Sequence, residues 1–192
     1  MPKLLLASSS IYRQELLGRL KIPFESYSPD IDETPKNGES LEALVLRLSK
    51  EKAKAGVMQF PEAVCIGSDE IAALENTILG KPLTHENAIQ QLTRMSGQKV
   101  DFLTGVCVYA PKLSFEDCRL VTTTVIFKKL TPSMIENYLQ KEQPYQSAGS
   151  FKSETLGSAL IDKMQSDDPT AIIGLPLITL CHMLNKVGIA II

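Results

Sequence analysis

The chain has 192 residues, of which 44% are hydrophobic and 22% are charged, and its net charge is −2. This balance excludes disordered and fibrous proteins and predicts one globular domain over residues 1–192. With a weakly negative net charge, the chain has no excess of basic residues to attract duplex nucleic acid or an anionic membrane. We therefore expect neither as a partner.

Targeting and cysteine patterns favour a cytoplasmic protein. The apolar run near the N-terminus is too short for a signal peptide, and no stretch approaches the roughly 20 apolar residues that span a bilayer. No C-x-x-C pair is present, which argues against a zinc knuckle or a redox motif. We therefore expect reduced thiols at all four cysteines, which are Cys65, Cys107, Cys118 and Cys181.

Short apolar runs alternate with helical patterns, which predicts an α/β fold with a mixed sheet. The strand "KLLLAS" precedes a helix from about Ser10 to Leu20. The strand "PFESYS" leads into the loop "PDIDETPKNGES", after which Ser40 begins a long helix whose apolar stripe continues to Lys52. "AVCIGSDEIAAL" and "ENTILGKPL" then predict a strand, a turn and a return that ends in a Gly-Lys-Pro corner.

The second half of the chain continues this alternation. A helix is expected from Thr84 to about Met95, then two long strands joined by the loop at Pro111, then a helix from Thr131 to about Gln140. "QPYQSAGSFKSETLGSALIDKM" is broken by glycine and serine and gives no clear assignment. "AIIGLPLITLCHMLNKVG" predicts a buried strand, a Gly-Pro turn and an apolar helix.

Several common catalytic motifs are missing from the sequence. It contains no G-x-G-x-x-G, no G-x-x-x-x-G-K-[ST] and no G-x-S-x-G, which argues against dinucleotide-binding, P-loop and serine-hydrolase sites. Two histidines, His85 and His182, cannot form a metal cage by themselves.

Three serines between the first strand and the first helix form a candidate anion site. Ser8, Ser9 and Ser10 lie where unpaired helix N–H groups can face a phosphate, and Arg13 follows in the first turn. The alternative is that the serines only cap and turn the chain while Arg13 is a solvated surface charge.

Acids and lysines at strand ends and loops add to this candidate site. Asp32 and Glu33 are adjacent carboxylates that can bind a hard cation, and Asp69 ends an apolar strand, where it can bind a metal or activate water. Lys52 and Lys81 can neutralise phosphate oxygens. Each residue alone also suits a plain structural role. Together they indicate a hydrolase of a phosphate ester or anhydride.

Seven motifs give the chain a resemblance to a known family. "LLLASSSIYRQELL", "DIDETP", "RLSKEKA", "IGSDEI", "GKPL", "AGSFKSE" and "IIGLPL" resemble, in order and spacing, the Maf nucleoside triphosphate pyrophosphatases. The resemblance implies a mixed, twisted sheet with flanking helices and two lobes around a deep cleft, often as a homodimer. It also implies hydrolysis between the α- and β-phosphates to a nucleoside monophosphate and pyrophosphate.

The resemblance assigns roles to individual residues. It implies Asp69 as the base that activates water, and Glu33 with Asp69 as ligands of a divalent cation, Mg²⁺, Mn²⁺ or Co²⁺. It implies triphosphate binding by Ser8, Ser9, Ser10, Arg13, Lys52 and Lys81.

Three further positions resemble the family's base selectors, Tyr12, Glu70 and Glu154. A cationic 7-methylguanine would stack on the Tyr12 ring, and the Glu154 carboxylate would accept from its N1–H and amine. These residues favour 7-methyl-GTP as the substrate. The alternatives are hydrolysis of dTTP and UTP, or a nucleotide-binding regulator of cell division without turnover.

Two departures from the family pattern bear on this interpretation. Ile11 and Gln14 stand where a proline and a second arginine are common, so one phosphate contact is expected to be missing. Glu70 stands where the 7-methyl-GTP branch usually has glutamine. If Asp69 and Glu70 point the same way, Glu70 would favour a cationic base or raise the pKa of Asp69, and on opposite strand faces neither effect follows.

Overall fold

The computed structural model describes residues 3–192, and within them it has seven strands and five α-helices. The strands are β1 (Leu4–Ala7), β2 (Glu25–Tyr27), β3 (Val64–Leu74), β4 (Thr77–Leu79), β5 (Lys99–Ala110), β6 (Phe115–Phe127) and β7 (Ile161–Gln165). The helices are α1 (Ile11–Gly18), α2 (Leu41–Gln59), α3 (His85–Met95), α4 (Pro132–Glu142) and α5 (Leu177–Lys186).

The strands form one mixed sheet in the order β2-β1-β3-β5-β6-β7, with β4 paired to β3. Strand β1 runs parallel to both β2 and β3, whereas β3–β4 and β6–β7 are antiparallel pairs. The predicted α/β class with a mixed sheet and flanking helices is therefore confirmed. Strand β7 lies in the segment that the sequence left unassigned.

The residues divide into two compact units. The first contains the chain up to Asp69, Thr104–Val121 and Asp168–Ile192, and the second contains Glu70–Leu103 and Thr122–Asp167. Strands β3, β5 and β6 contribute residues to both units. The single domain over residues 1–192 and the cleft between lobes stay predictions.

In the first unit, β1 is buried on both faces. Leu4 and Leu6 pack in one hydrophobic cluster with residues of α1 and α5, while Leu5 and Ala7 pack in another with α2. Successive side chains of a strand point to opposite faces, so a strand covered on both sides needs a continuous apolar run. This explains why "LLLA" shows no alternation and why it ends where the serines begin.

Helix α2 lies directly on the backbone of the sheet because two strand residues lack side chains. A Cβ atom on Gly67 would collide with the Ser49 carbonyl oxygen and would lie 2.5 Å from the Ala53 nitrogen. A Cβ on Gly105 would lie 2.8 Å from a methyl group of Val45. Lys52 lies in this same turn of α2, directly before Ala53, so the close approach brings it to the end of the parallel part of β3.

The second unit has its own aromatic core. Phe151 packs against Phe102 and Phe127, with ring centroids 5.7 and 5.1 Å apart. The Tyr138 hydroxyl of α4 accepts a hydrogen bond from the backbone N–H of Lys152. These contacts anchor the start of the segment that leads to Glu154.

The prediction of four reduced cysteines is wrong for one pair. Cys107 on β5 and Cys118 on β6 form a disulfide with their Cα atoms 4.0 Å apart, whereas Cys65 and Cys181 are free. Each bonded cysteine lies three positions from the strand end beside the connecting loop at Pro111, so the two face each other across the hairpin. Burial raises the pKa of the Cys65 thiol to about 12, which keeps it protonated.

The predicted strand near Ala171 is also wrong. Ala171–Ile173 forms a single 3₁₀ turn, which Gly174 ends with a φ of +112°. Helix α5 begins at Leu177, directly after Pro176, so only Gly174, Leu175 and Pro176 separate the 3₁₀ turn from the helix. The apolar run is too short and too closely bounded for a strand.

No described helix is both long enough and apolar enough to cross a membrane.

The glycine contact between α2 and β3 makes a stability prediction. Gly67→Ala should lower the free energy of unfolding by about 3 kcal/mol, because backbone atoms of α2 block the new methyl group. Chemical denaturation followed by circular dichroism measures this change. Gly18→Ala is the matched control, since nothing lies within 4 Å of a Cβ atom there. Equal stability of the two variants would contradict the close packing.

Candidate functional site

Three charged side chains of the first unit meet at Lys52. Its Nζ lies 2.5 Å from Oδ1 of Asp69 and 2.7 Å from Oε1 of Glu33. The side chains of Lys52 and Asp69 are only 9% and 12% exposed, whereas that of Glu33 is 60% exposed. Two carboxylates therefore offset the cost of burying one ammonium, and Asp69 is its sheltered partner.

A second group, around Arg13, gathers at the carbonyl of Gly174. Arg13 Nε donates to this oxygen at 2.8 Å. The Ser68 hydroxyl oxygen lies 2.9 Å from it and 2.6 Å from the Gly105 carbonyl oxygen, so its single proton is shared between the two carbonyls. Arg13 Nη1 lies 3.4 Å from the hydroxyl oxygen of Ser8, which also accepts from the N–H of Ser10. Since Ser68 precedes Asp69 directly, the Gly174 carbonyl links Arg13 to the strand residue beside the carboxylate.

The pairing of β1 with β3 explains why these groups are neighbours. Ala7 is opposite Gly67 in the parallel register, so Ser8 and Ser68 follow at the same edge of the pair. Parallel strands in α/β folds present their functional groups at their carboxyl ends. Strand β3 then continues through Asp69 to Leu74.

A buried carboxylate fixes the turn that carries Gly174. Asp168, which is 1% exposed, accepts from the Thr170 hydroxyl at 2.9 Å and from the N–H of Thr179 at 2.9 Å. The Thr104 hydroxyl donates to the Ala171 carbonyl at 2.8 Å. These contacts hold the loop before α5 from both sides, so the Gly174 carbonyl has a defined position.

The loop of Glu33 is held by Arg47 of α2. Arg47 donates to both carboxylate oxygens of Glu39, at 2.7 and 2.9 Å, and to the Thr34 carbonyl at 3.0 Å. It also donates to Glu51 at 3.1 Å. The planar guanidinium thus ties both ends of the loop to the helix that carries Lys52.

The Glu39 carboxylate, which pairs with Arg47, remains ionised over a wide pH range. Hydrogen bonds from Arg47 and from the N–H of Lys36 lower the pKa of Glu39 from 4.5 to about 2. The pKa of a depressed acid marks the lower end of its charged range. The contact is therefore at full strength above about pH 4.5 and is lost only as the pH falls toward 2.

Two adjacent acids of this loop have different contacts. Asp32 Oδ1 accepts from the Thr34 N–H at 2.9 Å, which closes a local turn. Hydrogen bonding from the Thr34 side chain, together with this N–H, lowers the pKa of Asp32. Glu33 instead reaches Lys52. The two carboxylates considered as one cation site from the sequence do not share a partner.

The serines and Tyr12 lie at the start of α1. Ser8 is buried, Ser9 is exposed, and Ser10 caps the helix by accepting from the Arg13 N–H at 3.4 Å. Tyr12 is half-buried in the first turn. Capping by Ser10 is the structural role that the sequence left as an alternative, while Ser8 faces Arg13.

Lys81, Glu70 and Glu154 belong to the second unit. Lys81 and Glu154 are exposed, and Glu154 follows the anchored Phe151 by three residues. Glu70 follows Asp69 within the unbroken strand β3, so the two carboxylates point to opposite faces. Glu70 therefore does not place its charge beside that of Asp69, and a role for Glu70 stays a prediction.

Three residues escaped the sequence reasoning. Ser68 and Gly174 act in the site through a hydroxyl and a backbone carbonyl, for which no composition signal exists. Arg47 lies in the quoted motif "RLSKEKA", on the polar flank of the stripe that ends in Lys52. Its position five residues before Lys52 could have indicated a contact with the preceding acidic loop, because a guanidinium on that part of the helix can reach the loop.

Comparison with known proteins shows the family to which the chain belongs. Residues 3–187 match the family model described as "Maf-like protein". The chain belongs to the Maf family. A "7-methyl-GTP pyrophosphatase" of Methylobacillus flagellatus is 53% identical over the full length of both chains. Proteins with the same name from Nitrosococcus oceani (52% identity, 97% of this chain, 94% of the relative) and Pseudomonas aeruginosa (49%, 100% of both) are also similar.

The Maf resemblance implies a divalent cation, so its fit to this chain can be tested on the donor atoms. Among residues 3–192, no three His, Cys, Asp or Glu side chains are grouped as a metal site. Glu33 and Asp69 do direct oxygens to one point, the Lys52 ammonium. Magnesium is commonly held by one or two carboxylates together with substrate phosphates, and this pair fits that arrangement rather than a site made of protein alone.

The contacts of Arg47 predict how this Maf protein holds its acidic loop. Arg47→Ala should release the loop, so amide hydrogen exchange in residues 34–39 should be at least tenfold faster than in the native chain. Arg47→Lys should restore little, because an ammonium cannot form the paired contact with Glu39. Hydrogen exchange mass spectrometry measures both.

The control for this experiment is Lys50→Ala, which removes a charge from the same helix but pairs with Glu116 instead. In the native chain the protection, corrected for intrinsic exchange, should be constant from pH 9 to about pH 5. Unchanged exchange in Arg47→Ala would show that other contacts hold the loop.

Proposed function

We propose that this chain hydrolyses 7-methyl-GTP to 7-methyl-GMP and pyrophosphate, with Asp69 as the base. The chain is a nucleoside triphosphate pyrophosphatase, an activity supported by its family and by relatives of about 50% identity over the full chain. The observation that carries the finer proposal is the buried contact of Lys52 with Asp69, one residue beyond the Ser68–Gly174–Arg13 group.

In this mechanism a water molecule attacks the α-phosphorus. A bond forms from the water oxygen to phosphorus, the bond from phosphorus to the bridging oxygen of the β-phosphate breaks, and pyrophosphate leaves. The proton of the water passes to the Asp69 carboxylate. Lys52 holds Oδ1 of Asp69, so Oδ2 is the oxygen that receives the proton, and the carboxylate cannot rotate away.

The cationic residues of the first unit offset the charge of the triphosphate. Arg13 is oriented through its Nε contact, and the described contacts use only two of the five N–H donors of a guanidinium. Ser8 and the N-terminal N–H groups of α1 add neutral donors. When bound, a divalent cation would neutralise further phosphate charge, with Glu33 and Asp69 as its protein ligands.

Base selection is assigned to Tyr12 and Glu154, as the resemblance implies. An aromatic face favours the cationic 7-methylguanine ring, and a carboxylate matches its N1–H and amine. The three similar proteins named above carry 7-methyl-GTP in their names, which supports this substrate over dTTP and UTP. Lys81 is proposed to bind the phosphates of the substrate, as the resemblance implies. A cytoplasmic location and a homodimer are part of the same proposal.

The substrate assignment predicts the outcome of a nucleotide panel. With Mg²⁺, Mn²⁺ or Co²⁺ present, kcat/KM for 7-methyl-GTP should exceed that for dTTP and UTP at least tenfold, because pyrimidines lack the donor pair that a carboxylate matches. Chromatography of the products should show the monophosphate and pyrophosphate. A preference for dTTP and UTP would overturn the base assignment and leave the pyrophosphatase activity intact.

The role of Asp69 predicts a loss of turnover without a loss of binding. Asp69→Asn keeps an oxygen for Lys52 but removes the base, so kcat should fall about 10²- to 10⁴-fold. Affinity for a nucleotide with a non-hydrolysable α,β-bridge, measured by calorimetry, should change less than threefold. Glu62→Gln, an exposed acid paired with Lys112, is the control. A native chain that binds the nucleotide without turnover would favour the regulator instead.

A further inference from the structure

The corner that carries Lys81 is fixed by hydrogen bonds on both of its sides. The Gly80 carbonyl accepts from Gln91 Nε2 at 2.9 Å and from the Gly149 N–H at 3.2 Å. On the other side, the Pro82 carbonyl accepts from Asn87 Nδ2 at 2.9 Å. The exposed Lys81 side chain therefore extends from a backbone that cannot move independently of α3.

The same Gln91 side chain contacts a second segment of this unit. Its Oε1 accepts from the hydroxyl of Ser150, which is completely buried, at 2.6 Å. Ser150 ends the tight turn Ala148–Ser150 and leads directly into Phe151, which packs in the aromatic core. Glu154 follows three residues later.

The two contacts of Gln91 are geometrically linked. A carbonyl oxygen can only accept, so the Gly80 contact fixes Nε2 of the amide toward Lys81 and leaves Oε1 toward Ser150. The amide is planar and rigid. A shift of the Ala148–Ser150 turn thus reaches the peptide that precedes Lys81 by two routes, the Gln91 side chain and the direct hydrogen bond from the Gly149 N–H to the Gly80 carbonyl. The Gln91 route is the one that a side-chain substitution can remove.

We propose that Gln91 is a specificity-determining positioning residue that couples base recognition at Glu154 to the alignment of Lys81 on the phosphates. This inference rests on the proposed function, which gives Glu154 the base and Lys81 the triphosphate. Gln91 contacts neither the substrate nor the reacting atoms in this scheme. It makes the position of the phosphate-binding lysine depend on how the base-binding segment is seated.

The coupling has a kinetic consequence. Binding energy from a remote part of a substrate accelerates the reaction only if it is used at the reacting centre. A base that binds Glu154 would fix the position of the segment from Ala148 to Glu154. Through its hydrogen bonds, Gln91 would then fix the position of Lys81. The correct base should then raise kcat as well as lower KM, and a base that misses Glu154 should bind without this gain.

The test compares Gln91→Met with the native chain on 7-methyl-GTP and UTP. Methionine has a similar length but forms neither hydrogen bond. We expect kcat for 7-methyl-GTP to fall about tenfold with KM changed less than threefold, while kcat/KM for UTP changes less than twofold. The ratio of the two kcat/KM values should therefore fall about tenfold. Asn87→Ala is the matched control, because it loosens the same corner from the Pro82 side without touching the Ser150 turn.

A double-mutant cycle with Glu154→Gln separates coupling from a general structural effect. In the Glu154→Gln background, Gln91→Met should have no further effect on 7-methyl-GTP, since the signal from the base is already lost. Additive effects, or an equal loss on both substrates, would overturn the inference. If Gln91→Met does not fold, Ser150→Ala replaces it, because it removes only the hydrogen bond between Ser150 and Gln91. The ratio of the two kcat/KM values and the cycle with Glu154→Gln are then measured in that variant.

The outcomes distinguish this inference from the function on which it rests. A native chain inactive on 7-methyl-GTP would overturn the proposed function. A native chain active and selective, together with a Gln91→Met variant of unchanged selectivity, would overturn only the coupling.

Discussion

The close contact of helix α2 with strand β3 is the constraint on which the site depends. Gly67 has no side chain, so the backbone of α2 lies against the strand at Ser49 and Ala53. One turn after Ser49, Lys52 meets Asp69, which lies two residues after Gly67. A larger residue at Gly67 would move the Lys52 ammonium away from the Asp69 carboxylate. The geometry of the charged pair therefore depends on the packing of the core.

Much of the fold follows from local signals in the sequence. Ser40, Thr84 and Thr131 each accept a hydrogen bond from the N–H three residues later, as helix-capping residues do, and their helices begin where predicted. The apolar stripe predicted on this helix continues to Lys52, and the structure buries that lysine. These features depend on neighbours within a few residues, so a single sequence contains them.

The contacts that organise the site were not predictable in the same way. The Gly174 carbonyl receives Arg13 and Ser68 from positions more than 100 residues away, and a carbonyl carries no sequence signal. The 3₁₀ turn at Ala171–Ile173 was mistaken for a strand because a short apolar run suits both. The Cys107–Cys118 disulfide depends on the hairpin register, which symmetric spacing about the Pro111 loop would have revealed.

The two partners of Lys52 differ in a way that fits their proposed roles. Asp69 is nearly buried on a central strand, so its contact with the ammonium is strong, and removal of Lys52 would leave the buried carboxylate without its charged partner. Glu33 is mostly exposed on a loop, so solvent screens its contact with Lys52, and the contact can be exchanged at little cost. In the proposed mechanism, an arriving triphosphate would compete for Lys52 with these carboxylates, and Glu33 is the one that would give way. In the same mechanism Arg47 would keep the loop in place while Glu33 exchanges Lys52 for the cation. This asymmetry is a physical reason for Asp69 to act as the fixed base and Glu33 as the exchangeable ligand.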